Sequence, residues 1–151
     1  MDNSLVSVIM PVYNAEKYIE EVDGNLFDYK VHCFHGEPTY IEVIGDRDLE
    51  KHKGKQLIYD FDWNEQQWSF GDYLRYKEGL KRPPVLKQLY QLSKVLCEEF
   101  EYVRVDFYII SGQILFGEMT FTPSGGFCPY NDEWRPENDL MLGEKIRLSV
   151  K

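Results

Sequence analysis

The stretch from Tyr102 to Phe127, YVRVDFYIISGQILFGEMTFTPSGGF, constrains the fold most. Its side chains alternate with the period of two that marks a β-strand. Val103, Val105, Phe107 and Ile109 share one face, and Arg104, Asp106 and Tyr108 share the other. Ser111-Gly112-Gln113 reads as a tight three-residue turn into a second strand. Past it, Leu115, Gly117, Met119 and Phe121 face the core, whereas Phe116, Glu118 and Thr120 take the second face. This register sets Asp106 opposite Glu118 and Arg104 opposite Thr120, with opposed Cβ atoms about 4.5–5.5 Å apart. Two carboxylates that near repel each other and need a cation. Mg²⁺ is commonly held by one or two carboxylates and completed by substrate phosphates. Acids on an exposed hairpin face are also ordinary solvated surface, and spacing alone does not separate the two readings. Two neighbours favour a ligand. Glu118 leads into Thr120-Phe121-Thr122-Pro123-Ser124-Gly125-Gly126, a loop whose glycines admit a close backbone approach. Arg104 offers a planar fork suited to phosphate or carboxylate.

With 151 residues the chain has the length of one ordinary domain with a real core. Its net charge of −9 removes the basic footprint that nucleic-acid binding requires, without excluding a nucleotide that travels with Mg²⁺. The aromatic share of 15% fits a β-rich chain, and core packing accounts for most such side chains. Cys33, Cys97 and Cys128 are widely spaced and form no CxxC pair, which points to reduced thiols in a cytoplasmic protein. His32 and His35 fall on opposite faces of a strand and read as structural, and His52 completes no helical metal motif. The longest apolar run, Val8 to Val12, is far too short to span a bilayer. The N-terminus carries Asp2 in place of a basic region and does not read as a signal peptide.

Elsewhere the pattern predicts a hairpin from Asp28-Tyr29-Lys30 through Phe34, a turn at His35-Gly36, and a return over Pro38 to Ile44. Residues 45–55 are charged and aperiodic and read as an exposed loop. Leu57 to Trp63 alternates as a strand, with Asp60 and Asp62 on one face. Residues 63–82 read as an irregular, aromatic-rich connection packed on the core, with a sugar-contacting surface as the alternative. Pro83 and Pro84 open a helix through about Glu99, with Leu86, Leu89, Leu92 (or Ser93) and Leu96 as its apolar stripe. A last helix is expected from Glu137 to Arg147, with Ile146 and Leu148 packing inward.

The run R-x-D-F…G-x-I-x-F-x-E-x-x-x-x-P resembles the metal-binding end of the ATP-grasp superfamily. The segments CFHGEPTYIEV, VRVDFY and GEMTFTPSGGF resemble its TupA-like branch, associated with teichuronopeptide and surface-polysaccharide biosynthesis. The likeness is spread over residues 15–148. It implies that Asp106 and Glu118 are Mg²⁺ ligands and that Arg104 steadies a phosphate or acyl phosphate. It further implies that Lys30, in a family-like DYK string, reaches a phosphate or carboxylate; a solvated Lys would need no such role. Glu16, Lys17, Tyr18 and Ile19 resemble the hinge that flanks adenine. Most members place Asn two residues after the Glu; Thr120 stands there and would coordinate more weakly.

Residues 5–19, LVSVIMPVYNAEKYI, resemble instead the first strand and loop of family 2 glycosyltransferases, which use nucleotide sugars. The Asp-Asp-Gly-Ser-type loop expected after it is replaced by Asp23-Gly24-Asn25-Leu26-Phe27-Asp28. Asp46-Arg47-Asp48 and Asp60-Phe61-Asp62 spell that family's Asp-x-Asp, a string common by chance.

Together these readings predict an α+β fold, an antiparallel sheet with one long helix and a short C-terminal helix, like the C-terminal lobe of an ATP-grasp domain. Residues 1–14 form a glycosyltransferase-like strand and residues 15–151 the ATP-grasp-like lobe. The implied function is ATP- and Mg²⁺-dependent joining of a small-molecule or glycan carboxylate to an amine. The family's first lobe would fall before residue 15, so the chain is expected to be inactive alone unless another protein supplies that lobe. A glycosyltransferase fragment and a non-catalytic remnant are the alternatives.

Overall fold

The computed structural model describes residues 26–48, 53–71, 73–126 and 136–147. Within them lie six strands: β1 (Asp28–Phe34), β2 (Glu37–Asp48), β3 (Lys53–Asp60), β4 (Leu74–Arg75), β5 (Tyr102–Ile110) and β6 (Gln113–Thr120). Two helices accompany them, α1 (Leu86–Cys97) and α2 (Pro136–Gly143). The strands form one sheet in the order β4-β3-β2-β1-β5-β6. Every neighbouring pair is antiparallel except β3 with β4, so the α+β expectation holds with a sheet that is mixed.

Alternation divides the sheet into an apolar and a polar face. Tyr29, Val31 and Cys33 of β1, Ile41 and Val43 of β2, Leu57 and Tyr59 of β3, and Val103, Val105 and Phe107 of β5 pack with Leu86, Leu89 and Cys97 of α1. Removing these side chains from water is the main drive to fold. Helix α1 presents Leu86, Leu89, Ser93 and Cys97 as its buried line, with Leu92 and Leu96 half-buried beside it. Buried Ser93 returns its hydroxyl to the Leu89 carbonyl (2.8 Å), which satisfies the one polar group on that line.

Both central hairpins turn on two residues with positive φ, His35-Gly36 and Ser111-Gly112, the conformation that matches strand twist. The His35-Gly36 turn is tied to the exit of α1. His35 and Gly36 donate their N–H groups to the carbonyls of Glu101 (2.9 Å) and Phe100 (3.1 Å), and Lys94 Nζ donates to the Gly36 carbonyl (2.6 Å).

The β5–β6 pairing reaches the expected opposition by a different route. The turn has two residues, pairing Ile110 with Gln113, and a bulge between Asp106 and Phe107 adds the missing residue at Gly117. Asp106 therefore faces Glu118 and Arg104 faces Thr120 as the alternation predicts. The bulge also reverses the faces beyond it. Phe116 opposes Phe107 and joins the core, their rings 6.2 Å apart at 78°, instead of sharing a face with Glu118. A Cβ at Gly117 would stand 3.0 Å from the Asp106 carbonyl oxygen, a tight contact that favours glycine in the bulge.

Three other expectations change. The segment 45–55 is not all loop: β2 continues to Asp48 and β3 starts at Lys53, with Gly45 paired to Lys55. Gly45 sits so close beneath Phe27 and Tyr76 that an added Cβ would lie 2.6 and 2.5 Å from them. Strand β3 ends at Asp60, not Trp63. Helix α2 ends at Gly143, and Ile146 is exposed rather than packed inward. Leu148 and Cys128 lie outside the described residues. Trp63, Phe70 and Leu80 of the connection over residues 63–82 pack back on the sheet as expected. Trp63 stacks on Tyr59 at 4.2 Å, and Leu80 closes the pair by receiving Trp63 Nε1 (2.9 Å) and donating to Tyr59 Oη (2.7 Å).

Candidate functional site

The polar face of the sheet gathers charge at one place. β1 contributes Asp28 and Lys30, β5 contributes Arg104 and Asp106, and β6 contributes Glu118 and Thr120. Lys30 lies opposite Asp106 across β1 and β5, a contact between residues 76 apart in sequence. Lys30 Nζ donates to Asp106 Oδ2 and pairs with Asp28 Oδ2 at 3.0 Å. Arg104 grips Asp106 with both ends of its fork, Nε to Oδ1 (2.7 Å) and Nη2 to Oδ2 (2.8 Å). The same Nη2 reaches Glu118 Oε1 and Thr120 Oγ1, each at 3.3 Å, and the Thr120 hydroxyl donates to Glu118 Oε1 (3.1 Å).

Burial separates the two acids. The Asp106 side chain is 4% exposed and that of Glu118 is 64% exposed. Asp106 thus anchors the cluster inside the fold, and Glu118 opens it to solvent. Burial acts to lower the Lys30 pKa, but the carboxylates of Asp28 and Asp106 outweigh it and hold the ammonium above its usual value. Arg104 behaves alike, burial opposing and Asp106 prevailing. Lys30 and Arg104 are therefore fixed positive charges across the physiological range.

A second buried polar set adjoins the first on the same face. Gln56 donates from Nε2 to Glu42 Oε1 (2.5 Å) and accepts the Phe70 N–H on Oε1 (2.8 Å). His32 Nε2 stands 3.3 Å from Glu42 Oε2, and His32 Nδ1 stands 3.0 Å from the Tyr102 hydroxyl. The Phe70 ring stacks on His32 at 4.7 Å. Burial raises the Tyr102 pKa and keeps its hydroxyl protonated. Because His32 lies opposite Arg104, and Glu42 opposite Lys30, this set backs the charged cluster.

The sequence-predicted residues Lys30, Arg104, Asp106, Glu118 and Thr120 therefore come together. Glu16, Lys17, Tyr18 and Ile19 lie outside the described residues, as does the whole of 5–19. Asp28, Glu42 and Gln56 were not singled out for the site by sequence reasoning, and His32 was read as structural. The period-two spacing of Asp28, Lys30 and His32 with the Glu42 parity in the partner strand was the available signal. Asp60-Phe61-Asp62 stands at the end of β3, apart from the charged cluster in the strand order. Asp60 accepts the N–H groups of Asp62 (3.0 Å) and Asn64 (2.8 Å) and so shapes the turn after β3. Asp46 pairs with Lys55 at 2.8 Å.

Two carboxylates and a hydroxyl are hard oxygen donors, the chemistry that Mg²⁺ prefers. Among the described residues no three His, Cys, Asp or Glu side chains form a ready-made cage. Asp106 and Glu118 offer carboxylate oxygens of that kind, and Thr120 a hydroxyl oxygen beside them. No helix among the described residues is long and apolar enough to cross a membrane. No curated protein and no solved structure matches the chain significantly. The TupA-like ATPgrasp family model, however, matches residues 5–147 and so takes in every strand and helix described above. With nearly its whole length covered, the chain belongs to the TupA-like ATP-grasp family.

Proposed function

We propose that this chain holds Mg·ATP on the polar face of its sheet for acyl-phosphate chemistry, as part of a carboxylate–amine ligase. The observation that carries the reading is the junction of Lys30, Arg104, Asp106, Glu118 and Thr120 on adjacent strands, in a chain of ATP-grasp membership. In this reading Asp106 and Glu118 hold the metal and Thr120 assists with its hydroxyl. Bound there, Mg²⁺ neutralises phosphate charge and stabilises the transferring phosphoryl group.

The remaining work falls to the chain's own cations. Arg104 presents a bidentate fork matched to a phosphate or acyl phosphate. Lys30, held positive by Asp28 and Asp106, supplies a second fixed charge beside it. Both extend from paired strands of the sheet, which brings two positive charges to bear on one phosphate, where electrostatic stabilisation is gained. The backbone of Glu16 to Ile19 is assigned to the adenine edge. The carboxylate would take the γ-phosphoryl group of ATP with ADP as the leaving group; an amine then attacks the acyl carbon, inorganic phosphate leaves, the nitrogen gives up a proton and an amide forms. The family's association points to cell-surface polysaccharide or teichuronopeptide synthesis in the cytoplasm, with a small-molecule or glycan carboxylate and amine as substrates.

Calorimetric titration with ATP, with and without Mg²⁺, tests the reading. Binding that requires Mg²⁺ and is lost in the Asp106→Asn, Glu118→Gln double variant supports it. Tighter binding of a nucleotide sugar than of Mg·ATP would favour a glycosyltransferase instead.

A further inference from the structure

One nitrogen of the charged cluster occupies an unusual place. Arg104 Nη2 lies 2.8 Å from Asp106 Oδ2 and 3.3 Å from both Glu118 Oε1 and Thr120 Oγ1. Those three oxygens are the donors assigned above to the metal. Lys30 also binds Asp106, but it does so from β1, whereas Glu118 and Thr120 lie on β6 at the opposite side of β5. Of the two cations, only Arg104 bridges Asp106 to β6.

We infer that Arg104 is a built-in stand-in for the metal, filling the gap between Asp106 and Glu118 until nucleotide phosphate draws its guanidinium away. The inference rests on the Mg·ATP reading and adds an order to it. Two opposed carboxylates without a cation would repel, and the fold answers this with a side chain of its own. A free divalent ion must then compete with charge-assisted hydrogen bonds already made. A phosphate offers the same fork an equivalent partner, so its arrival releases the oxygen donors. Metal and nucleotide thereby strengthen each other's binding, and linkage makes the effect reciprocal. A free ion alone is bound weakly. The arrangement also explains why a site with two carboxylates contains Arg104 within it rather than at its rim.

The test is a titration of the intact chain with Mn²⁺ alone, following free ion by electron paramagnetic resonance. Wild type is compared with Arg104→Gln and Lys30→Gln, each verified as folded by near-UV circular dichroism. Loss of the competing ionic hydrogen bonds should tighten Mn²⁺ binding in Arg104→Gln by about tenfold. Lys30→Gln also frees Asp106 but leaves the gap filled, and should tighten binding by less than Arg104→Gln does. If Arg104→Gln does not fold, Arg104→Lys replaces it; a single ammonium cannot fork onto Asp106 while reaching β6, and tighter binding than wild type is again expected. Equal or weaker Mn²⁺ binding in the Arg104 variant, or an equal gain in Lys30→Gln, overturns the stand-in role. Mg·ATP binding that still depends on Asp106 and Glu118 would then leave the proposed function in place. Absence of Mn²⁺ binding in every folded variant, together with absence of Mg·ATP binding, overturns both.

Discussion

Replacing Asp106 by Asn and, separately, Glu118 by Gln should divide stability from ligand binding. Both acids are assigned to one metal, yet they differ in burial, 4% against 64% exposed. Asp106 receives Lys30 and both ends of the Arg104 fork, and these cations are themselves only 12% and 14% exposed. Breaking a buried ion pair from one side costs roughly 3–5 kcal/mol because the remaining charge is left uncompensated. Here the loss is partly relieved, since Lys30 keeps Asp28 and Arg104 keeps Glu118. The lower end, about 3 kcal/mol, is therefore expected for Asp106→Asn. Glu118 makes a 3.3 Å contact in solvent, and exposed pairs contribute under about 1 kcal/mol. Urea unfolding followed by tryptophan fluorescence measures both. With a slope of about 1–3 kcal/mol/M, Asp106→Asn should lower the midpoint by at least about 1 M, and Glu118→Gln by far less. Equal midpoints for the two variants, or a full-sized loss in Glu118→Gln, would refute the assignment of Asp106 as the buried anchor. If the assignment holds, Glu118→Gln is the cleaner probe of metal binding, because its fold is undisturbed.

Alkaline pH should weaken the fold. Lys30 has a raised pKa, with Asp28 and Asp106 overcoming burial, so its contribution is complete below about pH 10.4 and lost as pH climbs through the higher folded value. Buried Tyr29 and half-buried Tyr102 are raised by desolvation, and Tyr76 is pushed up to about 12 by burial and then Asp46; all act in the same direction. Urea midpoints should hold between pH 8 and about 9.5 and fall beyond about pH 10; a flat profile to pH 11.5 would contradict this. Gln56→Leu leaves Glu42 Oε1 and the Phe70 N–H without their partner and should cost about 2–4 kcal/mol in urea unfolding; a neutral effect would show that the buried set is not structural. Gly36→Ala forces φ +70 on an L-residue and places a Cβ 2.8 Å from the Glu98 carbonyl oxygen. A loss of about 1–3 kcal/mol is expected by thermal denaturation, and an unchanged melting temperature would refute the tight turn.

What could be read from the sequence depended on range. The α1 stripe and the alternation of β5 and β6 are local patterns, and both appear in the fold. The opposition of Asp106 to Glu118 was legible from parity even though the turn is one residue shorter than expected. The bulge at Gly117 restores the count, and a glycine in a strand was its only trace. Phe116 was misassigned for the same reason, since one extra residue reverses every face beyond it. The tail of β2 and start of β3 were hidden because Gly45, Asp46 and Lys55 carry no hydrophobic period and are held by pairing with each other. Lys30 enters the sequence reading through the family resemblance alone. Its meeting with Asp106 depends on β1 pairing with β5 across 76 residues, which no local pattern encodes.

The most direct test of the central claim is calorimetric titration of the wild-type chain and of Glu118→Gln with ATP, each with and without Mg²⁺. Wild-type binding should require Mg²⁺ and be lost in Glu118→Gln, while the urea midpoint of that variant stays near wild type. Binding of ATP that is indifferent to both Mg²⁺ and Glu118, or no binding by the folded wild-type chain, would contradict the claim.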